Sequence, residues 1–176
     1  MARKPAKAAL PKKSNTVRRP RHQDDVAPPY NKPKLLRHPP KLTAKELLQS
    51  VWAGDKERSA DIAVKQVKRV SAPKKLEGYI AYRIATYNKV NKHIHRITLL
   101  FDGRVGPNSK LIVDSDTFRH VFYYEYALAR RGNAFIYRSN GDPAIKTNPR
   151  NKAGIDKHVY VALRYVLRAK RYGELK

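Results

Sequence analysis

Gly78-Tyr-Ile-Ala-Tyr-Arg-Ile-Ala-Thr-Tyr87, followed after a short polar stretch by Ile94-His-Arg-Ile-Thr-Leu-Leu-Phe101, decides the fold. Both runs are dense in aromatic and β-branched residues, which fit a pleated, half-buried surface. The second ends in Asp102-Gly103, a turn signal. Two such runs in succession predict a sheet. Gly106-Pro107-Asn108-Ser109 reads as a loop, and Lys110-Leu-Ile-Val-Asp114 as a further short strand. Ala134-Phe-Ile-Tyr-Arg138 reads as another. Segment 61–71 is a weaker strand, because Ile62, Val64, Val67 and Val70 depart from strict alternation.

Helical signals flank this centre. Thr43-Ala-Lys-Glu46 fits a capping box, in which the Thr hydroxyl and the Glu carboxylate satisfy backbone N–H groups reciprocally. Leu47, Leu48, Val51 and Trp52 follow at helical spacing, and Gly54 reads as the stop, which predicts a short helix over 44–53. Two segments fit both periods. In 117–131, Phe118, Val121, Phe122 and Ala129 suit a helix between Thr117 as N-cap and Gly132 beyond its end. Phe118, Phe122, Tyr124, Tyr126 and Leu128 equally suit a strand, the reading adopted here. In 155–172, Val159, Val161, Leu163 and Tyr165 alternate. Ile155, Val159, Ala162, Leu163, Val166 and Leu167 make a helical stripe, and a helix over 155–170 is the reading adopted. The expected fold is mainly β or α+β, with one compact β-rich domain over 43–176 behind a basic, Pro-rich arm over 1–42.

Charge gives the functional clue. The chain of 176 residues carries 39 Lys and Arg against 14 Asp and Glu, a formal net charge of +25. Thirteen of the basic residues and only two acids fall in the first 45 positions. Arg3, Lys4, Lys7, Lys12, Lys13, Arg18, Arg19 and Arg21 come with no acid among the first 21 residues. A stretch of this kind repels itself and buries too little apolar surface to fold alone, so a disordered arm is expected. It can neutralise phosphates and release their counterions, the main source of non-specific nucleic-acid affinity. The domain is basic as well, which disfavours a compact monomer without a polyanion. Eight of the twelve prolines lie in residues 1–40 and no Gly precedes Gly54, so the arm reads as extended and semi-stiff, with Tyr30, Leu35 and Leu36 as docking points.

Composition also excludes. There is no Cys, hence no disulfide, thiolate metal site or Cys nucleophile. No apolar run approaches the ~20 residues of a membrane span, so no membrane partner is expected. The N-terminus lacks the apolar centre of a secretory signal, and Pro5, Pro11 and Pro20 interrupt any amphipathic transit helix. Walker A, G-x-S-x-G and H-E-x-x-H motifs are missing, as are the signatures of sequence-reading domains.

Basic residues interleave with aromatics: Tyr79, Tyr82, Arg83 and Tyr87 with Lys89 and Lys92, then Tyr160, Arg164, Tyr165, Arg168 and Tyr172. Positive grooves with aromatic faces bind single strands. If 155–172 is helical, Arg164, Arg168 and Arg171 share a solvent face. The polar loop 139–154 adds Lys146, Arg150 and Lys152. His93 and His95 form an H-x-H pair that a strand would aim to one side, where two imidazoles can share a metal. Asp102, Asp114, Asp116 and Glu125 are the carboxylates a metal-dependent nuclease would need. Turn and cap roles explain these acids more simply, and neither an enzyme nor a cofactor is expected.

A basic arm before a compact β-rich domain is the layout of small viral coat proteins. The expectation is therefore a structural, sequence-independent RNA- or DNA-binding protein of the coat or nucleocapsid kind, in a homo-oligomer or larger assembly. It would be found in the virion and in the host nucleus or cytoplasm. The alternatives are a ribosomal protein, located on the ribosome, and a free single-strand-binding factor.

Overall fold

Four strands run in chain order through the sheet, each antiparallel to the next: β1 (Ile62–Val70), β2 (Tyr79–Asn88), β3 (Ile94–Asp102) and β4 (Leu111–Ser115). The structure is a computed structural model that describes residues 39–135 and 147–175. Its fold is mixed α+β. The two runs quoted first are the paired centre of the sheet, in register from Tyr79 opposite Asp102 to Tyr87 opposite Ile94.

The irregular alternation of 61–71 has a physical origin. Ile62 faces Asn88 and Val64 faces Thr86, yet Gln66 faces Ala85, so Lys65 is an extra residue in a β-bulge. Beyond it the pleat changes phase. Ile62, Val64 and Val67 all fall on the side of Ile84, while Lys68 falls on the side of Arg83.

One face of the sheet carries the main core. Tyr82, Ile84, Ile97, Leu99, Phe101, Leu111 and Val113 pack against the buried stripe of helix α4 (Lys157–Arg171), which presents Val159, Ala162, Leu163 and Val166. The helical reading of the C-terminal segment therefore holds. Asp156 caps α4, its carboxylate accepting the N–H groups of His158 and Val159 at 2.8 and 2.9 Å. The opposite face buries only Ala81, Leu100 and Ile112, with Val70, Leu76, Tyr79 and Phe135 partly covering them.

The capping box is present. The Thr43 hydroxyl accepts the Glu46 N–H at 3.2 Å, and the Glu46 carboxylate accepts the Thr43 N–H at 2.7 Å. The helix it starts is shorter than expected. Helix α1 (Ala44–Gln49) closes at Ser50, whose hydroxyl bonds the Leu47 carbonyl at 2.7 Å. Gly54 is not the stop; it lies inside helix α2 (Ala53–Glu57), which runs into a 3-10 turn at Arg58–Asp61.

The strand reading of 117–131 is corrected. The segment is helical, with a π-helical turn at His120–Tyr124 leading into α3 (Glu125–Ala129). Local capping decides it. The Thr117 hydroxyl accepts the His120 N–H at 3.2 Å, and Gly132 ends the run in the left-handed region at φ 72°. The aromatic pair that suggested alternation stacks along the helix instead, with the Phe118 and Phe122 ring centres 4.2 Å apart. Of the strand expected at 134–138, Ala134 forms a single parallel bridge to Val113, and residues 136–138 lie outside the described residues.

Asn133 ties the start of the described chain to the sheet. Its fully buried side chain donates to the carbonyls of Leu42 (2.9 Å) and Leu111 (2.7 Å) and accepts the Leu42 N–H (3.1 Å). Asn133→Ala removes these three bonds; the Leu42 carbonyl keeps the Leu111 N–H at 3.3 Å, while the Leu42 N–H loses its partner. The substitution is expected to cost about 3 kcal/mol in urea unfolding, since an orphaned buried group carries about 1–3 kcal/mol and each lost bond about 1 kcal/mol. A loss below about 0.5 kcal/mol, the ordinary scatter of surface substitutions, would refute the clamp.

Candidate nucleic-acid interface

The outer face of α4 brings together the three arginines expected there. Arg164, Arg168 and Arg171 are all exposed and occupy one side of the helix. Each rests on a tyrosine. The Arg164 guanidinium lies 5.3 Å from the Tyr160 ring centre and donates to its hydroxyl at 3.3 Å. Arg168 and Arg171 each lie 5.9 Å from the ring centre of Tyr172, which is exposed. Contacts of this kind contribute about 0.5–1 kcal/mol each at exposed sites, enough to bias long side chains toward one geometry. The arm residues Arg3, Lys4, Lys7, Lys12, Lys13, Arg18, Arg19 and Arg21 lie outside the described residues, as does Lys146.

The face of the sheet away from α4, which no α-helix covers among the described residues, forms a second basic surface. Lys68 stands directly opposite Arg83, and Arg96 lies across from Ala85 on the next strand; all three charged side chains are exposed. Like charges facing each other across an antiparallel pair are destabilising by themselves. At the bulge, the Lys65 ammonium sits 5.0 Å from the Tyr87 ring centre. Beside this row lies a cleft of about 500 Å³, with Ala81, Leu100 and Phe135 on its walls and Lys74 and Lys75 at its margin. Sequence reading found Arg83 and Tyr87 but missed Lys65, Lys68 and Arg96. Only the phase change at the bulge aligns Lys68 with Arg83. Lys89 and Lys92 belong instead to the turn between β2 and β3.

Beneath the N-terminus of α4 lies a buried polar cluster that sequence reading did not assemble. Asp156, besides capping the helix, accepts from the Thr117 hydroxyl. Burial pushes its carboxyl up. His158, then His120, the Thr117 hydroxyl and the Val159 N–H outweigh that, and hold it below the usual carboxylate range. His158 Nδ1 is 2.9 Å from the Thr86 hydroxyl, and its ring meets that of His95 edge-on, with centres 4.4 Å apart. His95 Nδ1 is 3.3 Å from the Asp116 carboxylate. Alongside, Asp55 is held above the usual carboxylate range by burial and by Asp156, against the opposing pull of Arg119 at 3.0 Å and of Arg58.

The H-x-H pair does not act as a pair. His93 is exposed ahead of β3, whereas His95 is fully buried. The four carboxylates considered for a nuclease are dispersed. Asp102 is exposed at the end of β3, Asp114 lies in the row of Arg83 and Thr98, Asp116 is buried against His95, and Glu125 is buried in α3. Among the described residues no group of three or more His, Asp or Glu is arranged to hold a metal ion. Nor is any of their helices long and apolar enough to cross a membrane. No family model, curated protein or solved structure matches the chain.

The depressed carboxyl of Asp156 has a pH consequence. Its folded value lies below the unfolded one, so its contribution to stability is complete above about pH 4 and drains away as pH falls through the folded value. Asp156→Asn keeps a residue that caps helices well but does not titrate. The native protein should lose thermal stability in acid more steeply than the variant. Equal acid slopes in the two would refute this account of Asp156.

Proposed function

We propose that this chain is a non-enzymatic structural protein that binds nucleic acid without regard to sequence, its folded domain acting together with its basic N-terminal segment. The observation that carries the reading is the directly opposed Lys68 and Arg83 on the sheet face away from α4, continued by Arg96. The row ends in a single acid, Asp114, beyond Thr98, so basic side chains outnumber acidic ones along it. A bound polyanion turns the cost of opposing like charges into a gain. The arginine face of α4 supplies a second contact surface, and the net charge of +25 supplies long-range attraction.

A stoichiometric role, coating or packaging a genome as a coat or nucleocapsid protein, is the form of this function we favour. A ribosomal role is the second reading. It draws support from the sheet architecture: one four-stranded sheet with a helix on one side, where a coat shell is commonly built from two facing sheets.

The test is binding of a labelled oligonucleotide across a salt series. Each phosphate neutralised contributes roughly 0.7–0.9 to the slope of log K against log salt. The full-length protein should show a steep slope. The triple charge reversal Arg164→Glu, Arg168→Glu and Arg171→Glu should flatten it by about 2–3 while the protein stays folded with a melting temperature lower by several degrees, since the side chains are exposed but their tyrosine contacts are lost. A flat salt response in the native protein, or cleavage of the probe in Mg²⁺, would overturn the reading. Light scattering of the salt-washed protein separates the two roles, with particles favouring a coat and monomers a ribosomal protein.

A further inference from the structure

The only tryptophan in the chain, Trp52, is 64% exposed, which is unusual for the largest apolar side chain in a small domain. It stands at the margin of a cleft of about 750 Å³ on the flank of the domain away from the sheet's basic face. The Arg119 guanidinium lies 4.9 Å from the Trp52 ring centre and 5.1 Å from that of Tyr123, so it joins the two rings into one stack. Its position is fixed from below by the buried Asp55, 3.0 Å from its Nε. Trp52 is thus braced through Arg119 while most of its surface stays exposed at the margin of the cleft.

The same cleft is lined by basic side chains. Arg150 and Lys152 are exposed on the loop before α4, and Arg131 comes from the end of α3, anchored by a 2.9 Å bond to the Ala127 carbonyl. The π-helical turn places this loop. Two of its carbonyls point outward: that of Phe122 accepts from the Thr147 hydroxyl at 2.9 Å, and that of Tyr123 from the Asn148 side chain at 2.8 Å. Asn148 also closes the loop on itself through both the N–H and the carbonyl of Lys152. At its far end Gly154 passes so close to Tyr124 that a Cβ would come within 2.7 Å of the ring. The one acid on the lining besides these groups, Glu46, is committed to the capping box of α1.

We infer that this cleft is a single-strand site in which an unpaired nucleobase stacks on Trp52 and the adjoining phosphates lie against Arg150, Lys152 and Arg131. An exposed aromatic side chain and several cations lining one cleft are the elements by which single strands are held without sequence readout. A duplex offers phosphates but no free base face. The inference rests on the proposed nucleic-acid function and specifies the form of nucleic acid preferred. The basic N-terminal segment is a poor rival for the same cleft, since its charge repels the lining.

The full-length protein carries its own reporter, because excitation selective for tryptophan reads Trp52 alone. Three labelled probes of about 15 nucleotides, within the span of common single-strand sites, are titrated: a thymidine homopolymer, a uridine homopolymer and a duplex. Anisotropy of the label reports binding, and tryptophan emission reports contact with the cleft. Saturable quenching by the single strands, at most weak quenching by the duplex, and loss of about tenfold or more in single-strand affinity in Trp52→Ala are expected, with Trp52→Phe recovering part of the loss. Comparison of the two homopolymers tells RNA from DNA preference. The Trp52 side chain makes no cap bond to α2, so Trp52→Ala should fold, which its melting temperature checks. Binding of all three probes with emission unchanged would overturn the cleft inference and leave the wider function standing. Absence of binding by anisotropy would overturn both. A Trp52 shielded from acrylamide in the free protein would mean that the chain's own N-terminal segment fills the cleft, and would overturn the inference as well.

Discussion

The carboxylate of Asp156 lies where three parts of the molecule meet. It starts α4 by accepting two backbone N–H groups, receives the Thr117 hydroxyl from the end of β4, and faces His120 and His158. Thr117 in turn caps the helical run that follows it, so one buried contact sets the origin of two helices relative to the sheet. From this start the apolar stripe of α4 packs in one cluster with Ile84, Ile97 and Leu99. A carboxylate this deep is tolerated because both of its oxygens accept hydrogen bonds, from two backbone N–H groups and from the Thr117 hydroxyl. The loop before α4, held at its start by the Phe122 and Tyr123 carbonyls, runs into this same anchor.

Much of the fold could be read directly from residues. The Tyr79–Asn88 and Ile94–Asp102 strands follow from β-branched and aromatic density, the start of α1 from Thr43 and Glu46, and α4 from its apolar stripe. What misled was local. In 117–131 aromatics at both even and odd spacings satisfied two periods at once, and the outcome turned on one hydroxyl, that of Thr117, and one glycine, Gly132. Gly54 looked like a stop, but Ser50 had already closed the preceding helix. On the candidate interface the arginine triplet of α4 was legible because it needs only helical spacing. The opposition of Lys68 to Arg83 was not, because it needs the register shift at Lys65. The cluster of His95, His120 and His158 joins residues from β3, the π-helical turn and α4, and no spacing within a chain encodes such a meeting.

The basic surface is therefore not one patch. The charges of α4 ride on tyrosines, those of the sheet project from one face of the pleat, and those of the cleft share its lining with an indole. Each arrangement would meet a polyanion differently: the first as phosphate contacts held by ring faces, the second as a line of charge, the third with room for a base.

The bulge at Lys65 bears on crowding. Among the described residues no strand pairs with the outer edge of β1, whereas β4 is partly closed off by the bridge from Ala134. An open edge is a template on which a second copy can add its own strand. In a dilute, highly charged protein, repulsion between copies keeps such edges apart. Once a polyanion neutralises that repulsion and holds many copies side by side, the electrostatic safeguard is gone. The kink and added twist at Lys65 remain, because they are features of the backbone that counterions do not screen. If nucleic acid does gather copies as proposed, the bulge at Lys65 is a backbone feature that would still disfavour edge-to-edge pairing of their sheets.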